Sequence, residues 1–158
     1  MKNVLITGGA GFIGSNLAHR LLNSENYKLY AMDNLHPQVH HEFGRPEMLP
    51  SNVTLLTGDV VSAANWDAVL KLVKPDIIVH LAAETGTGQS LTEATRHGSV
   101  NVVGTTAMLD ALTRNNSIPE HIILSSSRAV YGEGLWQYDD GSTFYPSGRS
   151  HEMLESAQ

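Results

Sequence analysis

The stretch LITGGAGFIG, residues 5–14, decides the fold of this 158-residue chain. Its apolar start predicts a buried strand, and Ile13, Leu17 and Leu21 then repeat at the spacing of one helix face. Gly8, Gly11 and Gly14 lie between the two elements. Glycines at these places permit a tight turn and close approach to a pyrophosphate, which the free N–H groups of a helix start attract. The stretch predicts a dinucleotide-binding turn, with a glycine turn that only packs as the alternative.

The rest of the chain continues this alternation of strands and helices. Short apolar runs at 3–7, 28–32, 53–57, 76–80 and 121–125 read as strands covered on both faces. The longest helix is predicted from about 91 to 114, with Gly104 packed on the sheet. Its apolar stripe consists of Val100, Val103, Gly104, Ala107, Met108, Ala111 and Leu112. The alternation predicts parallel strands with right-handed crossovers, a doubly wound α/β Rossmann fold of strand order 3-2-1-4-5.

Composition limits the function classes. Sixteen acidic and ten basic residues give a net charge of −6 without a basic stripe, so nucleic acid is not an expected partner. No run approaches the roughly 20 apolar residues of a membrane helix, and no signal peptide opens the chain, so we expect a cytoplasmic protein without membrane contact. The loop 34–51 holds His36, His40, His41 and Glu42. We interpret them as a solvated loop and expect no metal site.

Asp33 ends the second predicted strand, nineteen residues after Gly14. A carboxylate there accepts hydrogen bonds from both ribose hydroxyls and repels a 2′-phosphate, which favours NAD over NADP. The alternative is an ordinary Asp that caps a loop.

Six motifs in order, TGGAGFIG (7–14), MDN (32–34), GDV (58–60), HLAAE (80–84), NVVGT (101–105) and SSSRAVYG (125–132), make the chain recognisable. It resembles the extended short-chain dehydrogenase/reductase family, particularly the NAD-dependent nucleotide-sugar epimerases and dehydratases. The resemblance implies an NAD-binding domain over 1–132. It also implies that 133–158, which we expect to be irregular, begins a substrate-binding region that is otherwise missing.

The same resemblance assigns the cofactor and substrate contacts. The predicted NAD-binding residues are Gly8, Gly11, Phe12, Ile13, Gly14, Asp33, Asn34, Asp59, Val60, Leu81, Ala82, Ala83, Thr85, Asn101 and Ser125. Asp59 has a helix N-cap as its alternative role, and Asn101 a solvent-facing position. Thr87 and Ser90, in a predicted flexible loop, are candidate sugar contacts, although an ordinary linker is the alternative.

Catalysis in the family uses a Ser or Thr, which the resemblance places at Ser127, and a Tyr with a Lys four residues later. Arg128 and Ala129 stand where dehydratases carry Asp and Glu, which favours an epimerase or a dehydrogenase. Tyr131 is followed four residues on by Leu135, and Tyr138 by Ser142. Tyr145 with Arg149 is a weak substitute, because a guanidinium presents its charge in a rigid plane.

We therefore predict the NAD-binding part of a longer nucleotide-sugar epimerase, inactive as this chain alone. A nucleotide-sugar dehydratase is a second enzymatic interpretation. Two further alternatives are a non-catalytic NAD sensor and an interaction module, whose long helix pairs two copies into a homodimer as the family often does.

Overall fold

A computed structural model describes residues 1–40, 44–148 and 150–156 of the chain. Its compact unit Met1–Ser125 contains a five-stranded parallel sheet. The strands are β1 (Lys2–Thr7), β2 (Tyr27–Asp33), β3 (Thr54–Thr57), β4 (Ile77–His80) and β5 (His121–Leu124). Their order is β3-β2-β1-β4-β5, which confirms the predicted doubly wound topology.

The central strand sets the register of the sheet. β1 pairs with β2 up to Thr7 opposite Met32, and with β4 up to Thr7 opposite His80. The three carboxyl ends therefore stop at one level, and the segments that follow them meet above the same edge. In doubly wound sheets this edge, where the strand order reverses, is the place where ligands bind.

Helices cover both faces of this sheet. They are α1 (Phe12–Leu21), α2 (Ala63–Val73), α3 (Thr87–Thr92), α4 (Ala94–Gly98) and α5 (Gly104–Arg114), with a π-helical turn at Ser99–Val103 that joins α4 to α5. The prediction of one helix over about 91–114 is wrong in two respects. The helix is interrupted at Glu93. The helix that follows contains the π turn, which apolar spacing alone does not reveal.

Two apolar clusters flank the sheet. One joins β1, β2 and β4 to α2 and α5 around the fully buried Trp66, and the other packs α1 through Ala18 against the opposite face. Three packing predictions are wrong. Ile13 is 64% exposed and Val103 51% exposed. A Cβ on Gly104 would lie 2.8 Å from Val60 Cγ2, so this glycine packs on Val60, in the segment that follows β3, rather than on a strand of the sheet.

β5 also differs from its prediction as a strand covered on both faces. Ile122, Ile123 and Leu124 are 41%, 53% and 57% exposed. The strand pairs with β4 through His80 opposite Leu124. Its apolar sequence is the same as that of a buried strand, so sequence alone could not separate the two environments.

The second compact unit begins at Ser126. It contains a 3₁₀ turn (Arg128–Tyr131), a short antiparallel pair of β6 (Trp136–Gln137) and β7 (Thr143–Phe144), and α6 (His151–Glu155). The expectation of an irregular segment over 133–158 is therefore wrong in part, since Tyr138 stacks on Phe144 with ring centroids 4.5 Å apart. The proposed boundary at residue 132 stays a prediction. None of the helices in the described ranges has the length and apolar character needed to cross a membrane.

Candidate functional site

The turn after β1 requires glycine at defined places. Gly8 has φ +63°, and a Cβ there would lie 2.8 Å from the backbone nitrogen of Ala82. A Cβ on Gly14 would lie 2.6 Å from both the Gly8 oxygen and Gly9 Cα. Gly9, which the motif analysis passed over, is equally confined, with Ala31 Cβ at 2.6 Å from its added Cβ. The glycines therefore permit a close approach of strand, turn and helix.

The start of α1 is left open to a ligand. Gly11 is its N-cap residue, and neither a side-chain cap nor an acidic residue occupies its own first turn. The first intrahelical bond runs from the Ser15 nitrogen to the Gly11 oxygen at 2.9 Å. Phe12 is 73% exposed and, with Ile13, lines the cleft above the turn. Uncapped N–H donors at a helix start favour an anion.

Asp33 lies at the end of β2 with its carboxylate facing this turn. Its Oδ2 accepts a hydrogen bond from the Ala10 nitrogen at 3.1 Å, and its Oδ1 accepts one from the Leu35 nitrogen at 2.9 Å. His40 Nε2 lies 3.7 Å from Oδ1. A carboxylate has about four lone-pair positions, so two remain for hydroxyl donors. Asp33 thus joins the glycine turn to the loop after β2.

Asp59 and Asn34 form the next part of the wall. Asn34 Nδ2 donates to Asp59 Oδ2 at 3.2 Å, and Asp59 Oδ1 accepts from the Val61 nitrogen at 3.0 Å. The alternative role of Asp59 as the N-cap of α2 is wrong, because Ser62 is the N-cap and its Oγ accepts from the Asn65 nitrogen at 3.3 Å. Asp59 therefore faces the cleft.

A cleft of about 390 Å³ lies above the carboxyl edge of the sheet. It brings together most residues predicted for the cofactor: Gly8, Gly11, Phe12, Ile13, Gly14, Asp33, Asn34, Asp59, Val60, Leu81, Ala82, Ala83, Thr85 and Ser125. It is also lined by residues that sequence reasoning did not find, namely Met32, His36, Gln38, Val39, His40, Gly58, Glu84 and Val100. Met32, Gly58 and Glu84 lie inside quoted motifs, whereas the loop residues His36, Gln38, Val39 and His40 lack periodicity or a motif that could have revealed them.

Asn101 lies outside this lining. Its Oδ1 accepts from the Glu84 nitrogen at 2.8 Å, and its Nδ2 donates to the Glu84 oxygen at 3.0 Å. The exposed side chain thus fixes the backbone of the segment after β4, and its role as a cofactor contact stays a prediction. Sequence gave no sign of this contact between residues seventeen positions apart.

The candidate sugar contacts belong to a helix rather than to a flexible loop. Thr87 begins α3 and Ser90 lies within it, and the Ser90 nitrogen donates to the Gly86 oxygen at 3.0 Å. Ser90 does not line the cleft, and the side chain of Thr87 lies outside the described part of the structure. Their role as substrate contacts stays a prediction.

The remaining predicted residues belong to the second unit or lie outside the described ranges. The Ser127 oxygen accepts from the Val130 nitrogen at 3.2 Å, and Tyr145 is 77% exposed. Arg149, His41 and Glu42 lie outside the described residues. Within residues 1–40, 44–148 and 150–156, no three His, Cys, Asp or Glu side chains come together as metal ligands.

A buried polar chain supports the floor of the cleft. Thr7 Oγ1 lies 2.8 Å from His80 Nδ1 and accepts from the Ala82 nitrogen at 3.2 Å. Thr105 Oγ1 lies 3.3 Å from His80 Nε2 and donates to the Asn101 oxygen at 3.2 Å. Burial lowers the pKa of His80, because the charged ring would lose its hydration. The neutral ring therefore links β1 and β4 to α5.

Comparison with known proteins identifies this arrangement. The family model described as the NAD dependent epimerase/dehydratase family matches residues 4–149. The dTDP-L-rhamnose 4-epimerase of Burkholderia thailandensis is 54% identical over 157 residues, which are 99% of this chain and 43% of that protein.

Solved structures agree with the sequence comparison. The UDP-glucose 4-epimerase of Brucella ovis, in complex with NAD, superposes with a TM-score of 0.69 at 31% identity over 84% of this chain and 38% of that one. The UDP-glucose 4-epimerase of Thermotoga maritima, with UDP-glucose, gives 0.69 at 28% identity over 86% and 41%. This chain spans less than half the length of each of these relatives. The fold, the glycine turn and the matched residues show that the chain belongs to the NAD-dependent epimerase/dehydratase family, as its resemblance to the extended short-chain dehydrogenases predicted.

Proposed function

We propose that this chain is the NAD-binding portion of a nucleotide-sugar epimerase. The observation that carries the proposal is the cleft in which an uncapped helix start, a glycine turn and Asp33 meet at the switch point of the sheet. The family match and the NAD bound to the Brucella ovis relative support the same cofactor.

The residues of the cleft fit NAD in two ways. The amides at the start of α1 suit a pyrophosphate, since the glycine turn lets the backbone approach it closely. The free lone pairs of Asp33 suit the paired hydroxyls of the adenosine ribose, and the same charge repels a 2′-phosphate. When bound, NAD would accept a hydride from a sugar carbon and return it.

For the substrate we propose a nucleoside-diphosphate sugar that is inverted at its C4 carbon. The 54% identity to a dTDP-L-rhamnose 4-epimerase extends over 99% of this chain, which makes dTDP-L-rhamnose the first sugar nucleotide to test. Ser127, in the motif SSSRAVYG, is the residue proposed to hydrogen-bond the reacting hydroxyl. The neighbours Arg128 and Ala129 lack carboxylates for water elimination, which favours epimerisation over dehydration.

We propose that this chain binds NAD without converting a sugar nucleotide. The 158 residues contain no Tyr-x-x-x-Lys, so the chain lacks the family's proton acceptor and the ammonium that lowers its pKa. We expect the purified chain to bind NAD and to leave dTDP-L-rhamnose unchanged. Hydride transfer by the purified chain would contradict the second expectation.

Calorimetric titration tests the cofactor directly. The wild-type chain is titrated with NAD and with NADP at one ionic strength, and NAD is expected to bind more tightly. Tighter binding of NADP would overturn the role of Asp33, and no binding of either would overturn the proposed function. A chromatographic assay for sugar epimers, run on the same sample with dTDP-L-rhamnose and UDP-glucose, completes the test.

A second candidate is an NAD-binding protein that signals to a partner without catalysis. The lack of a Tyr-x-x-x-Lys within these 158 residues fits this candidate as well as the first. NAD binding combined with inactivity, in a longer form of the protein that still lacks the pair, would support this candidate. The homodimer expected from the family is tested on the same sample by light scattering.

A further inference from the structure

Arg96 lies where three separate segments meet. It belongs to α4, and its Nη1 lies 3.0 Å from His36 Nε2 while its Nη2 donates to Gln38 Oε1 at 2.9 Å. The same Nη2 lies 3.3 Å from Glu84 Oε2, and Nε lies 3.0 Å from Glu93 Oε2. One guanidinium thus contacts the loop after β2, the segment after β4 and the residue before its own helix.

Two of these segments are walls of the cleft. His36 and Gln38 line it from the β2 side, and Glu84 lines it from the β4 side. β2 and β4 are the two neighbours of β1, so the segments that follow them lie on either side of the glycine turn. Arg96 does not itself line the cleft, but it joins both walls.

The surroundings make this junction more than a surface ion pair. The side chains of Arg96 and Glu84 are 28% and 12% exposed, so solvent and salt screen their attraction only in part. The backbone of Glu84 is itself held at its nitrogen and its oxygen by Asn101.

We propose that Arg96 is a positioning residue that holds the two cleft walls together and thereby slows the release of bound NAD. The inference rests on the NAD binding proposed above. The planar fork of the guanidinium serves His36, Gln38 and Glu84 from fixed directions. A lysine ammonium at the same place is a point charge and serves them less well.

Amide hydrogen exchange on the cofactor-free chain tests the junction itself. The reporters are the amides of Val39 and His40, both bonded to the His36 oxygen, and that of Glu84. In Arg96→Gln they are expected to exchange at least about tenfold faster than in the wild type, because an opened wall exposes them to water. Arg96→Lys is expected to lie between the two. Unchanged exchange at all three amides would overturn the proposal.

The matched control is Arg114→Gln. Arg114 Nη2 lies 2.7 Å from Asp67 Oδ1 and joins α5 to α2 away from the cleft. This variant removes one charge, as Arg96→Gln does, and one ion pair where Arg96→Gln removes two, and it should leave the three reporter amides unchanged. Amides of β1 and β2 report whether any variant has lost its global fold, and Arg96→Lys keeps the test valid if Arg96→Gln does not fold.

Release of bound NADH tests the consequence for the cofactor. NADH fluorescence is followed after rapid mixing with excess NAD. Arg96→Gln is expected to release NADH at least about tenfold faster, with an association rate within about threefold of the wild type. Equal release rates would overturn the proposal. If the wild type binds no NADH, the proposed function and the cofactor role of Arg96 both fail, while hydrogen exchange still decides whether Arg96 joins the walls.

Discussion

The hydroxyl of Thr7 lies 2.8 Å from Nδ1 of His80 and connects the carboxyl ends of two neighbouring strands inside the protein. Because Thr105 Oγ1 donates its proton to the Asn101 oxygen, it accepts from His80 Nε2. In the neutral ring Nδ1 then accepts the proton of Thr7, whose Oγ1 in turn accepts from the Ala82 nitrogen. The hydrogen bonds therefore run in one direction from Ala82 through a neutral ring. This series of hydrogen bonds fixes the segment after β4 that lines the cleft.

Thr7→Val should destabilise the fold. Valine keeps the shape of threonine but leaves the Ala82 nitrogen and His80 Nδ1 buried without this partner, at a cost of about 2–4 kcal/mol in the free energy of unfolding. Urea denaturation measures the change. The matched control is Thr113→Val on α5. This exposed hydroxyl donates to the Leu109 oxygen, and its loss should change stability by less than about 0.5 kcal/mol. An equal loss in the free energy of unfolding at both positions would contradict the role of the Thr7–His80 hydrogen bonds.

The free energy of unfolding should fall as the pH is lowered below 6.5. Burial lowers the pKa of His80 from its ordinary 6.5, so the unfolded chain takes up this proton at a higher pH than the folded chain. The contribution of the neutral ring is complete above 6.5 and declines as the pH falls toward the folded pKa, by at most about 1.4 kcal/mol per pH unit. Urea denaturation between pH 7.5 and pH 5.5 gives the slope of the free energy of unfolding against pH. This slope should be smaller for His80→Gln than for the wild type, by up to about 1.4 kcal/mol per pH unit. Parallel profiles would refute the assignment.

Two glycines of the turn should respond differently to alanine. In Gly14→Ala the new Cβ meets backbone atoms at 2.6 Å, so the fold should lose about 1–3 kcal/mol or more. In Gly11→Ala the nearest atom is the Gly8 oxygen at 3.3 Å, so the chain should fold, with NAD affinity reduced at least about tenfold because the methyl group obstructs the pyrophosphate. Thermal unfolding and calorimetry separate the two effects. A stable Gly14→Ala variant would show that the turn is less confined than its geometry indicates.

Asp33→Ala should weaken NAD binding by about 1–3 kcal/mol and reduce the preference for NAD over NADP, because the ribose hydroxyls lose their acceptor and a 2′-phosphate loses its repulsion. Calorimetry with both cofactors measures the two effects. Asp110→Ala removes an exposed carboxylate from α5 and serves as the control. An unchanged dissociation constant for NAD in Asp33→Ala would exclude the ribose contact.

Sequence predicted the sheet well, because buried parallel strands are short apolar runs and the alternation with helices leaves few topologies. It predicted the helix faces less well. Ile13 repeats with Leu17 and Leu21 like a core residue, yet it is exposed in the cleft. Periodicity identifies an apolar face and does not distinguish a core from an apolar binding surface.

The candidate site was predictable where a motif fixed it. The residues of the turn and of β2 that were predicted to bind NAD line the cleft: Gly8, Gly11, Phe12, Ile13, Gly14 and Asp33. The contacts of Arg96 with His36 and Gln38 were not predictable, because 60 and 58 residues separate the arginine from these two loop partners. Contacts of this kind depend on tertiary geometry, and neither spacing nor propensity encodes them.

The π turn at Ser99–Val103 amounts to one residue inserted into an otherwise regular helix. Since each residue of an α-helix advances by about 100°, this insertion sets the angular phase between α4 and α5. A single extra residue therefore allows α5 to pack on the core while α4 directs Arg96 toward its partners. Removal of one residue from this turn would rotate Arg96 away from its partners while α5 kept its own packing.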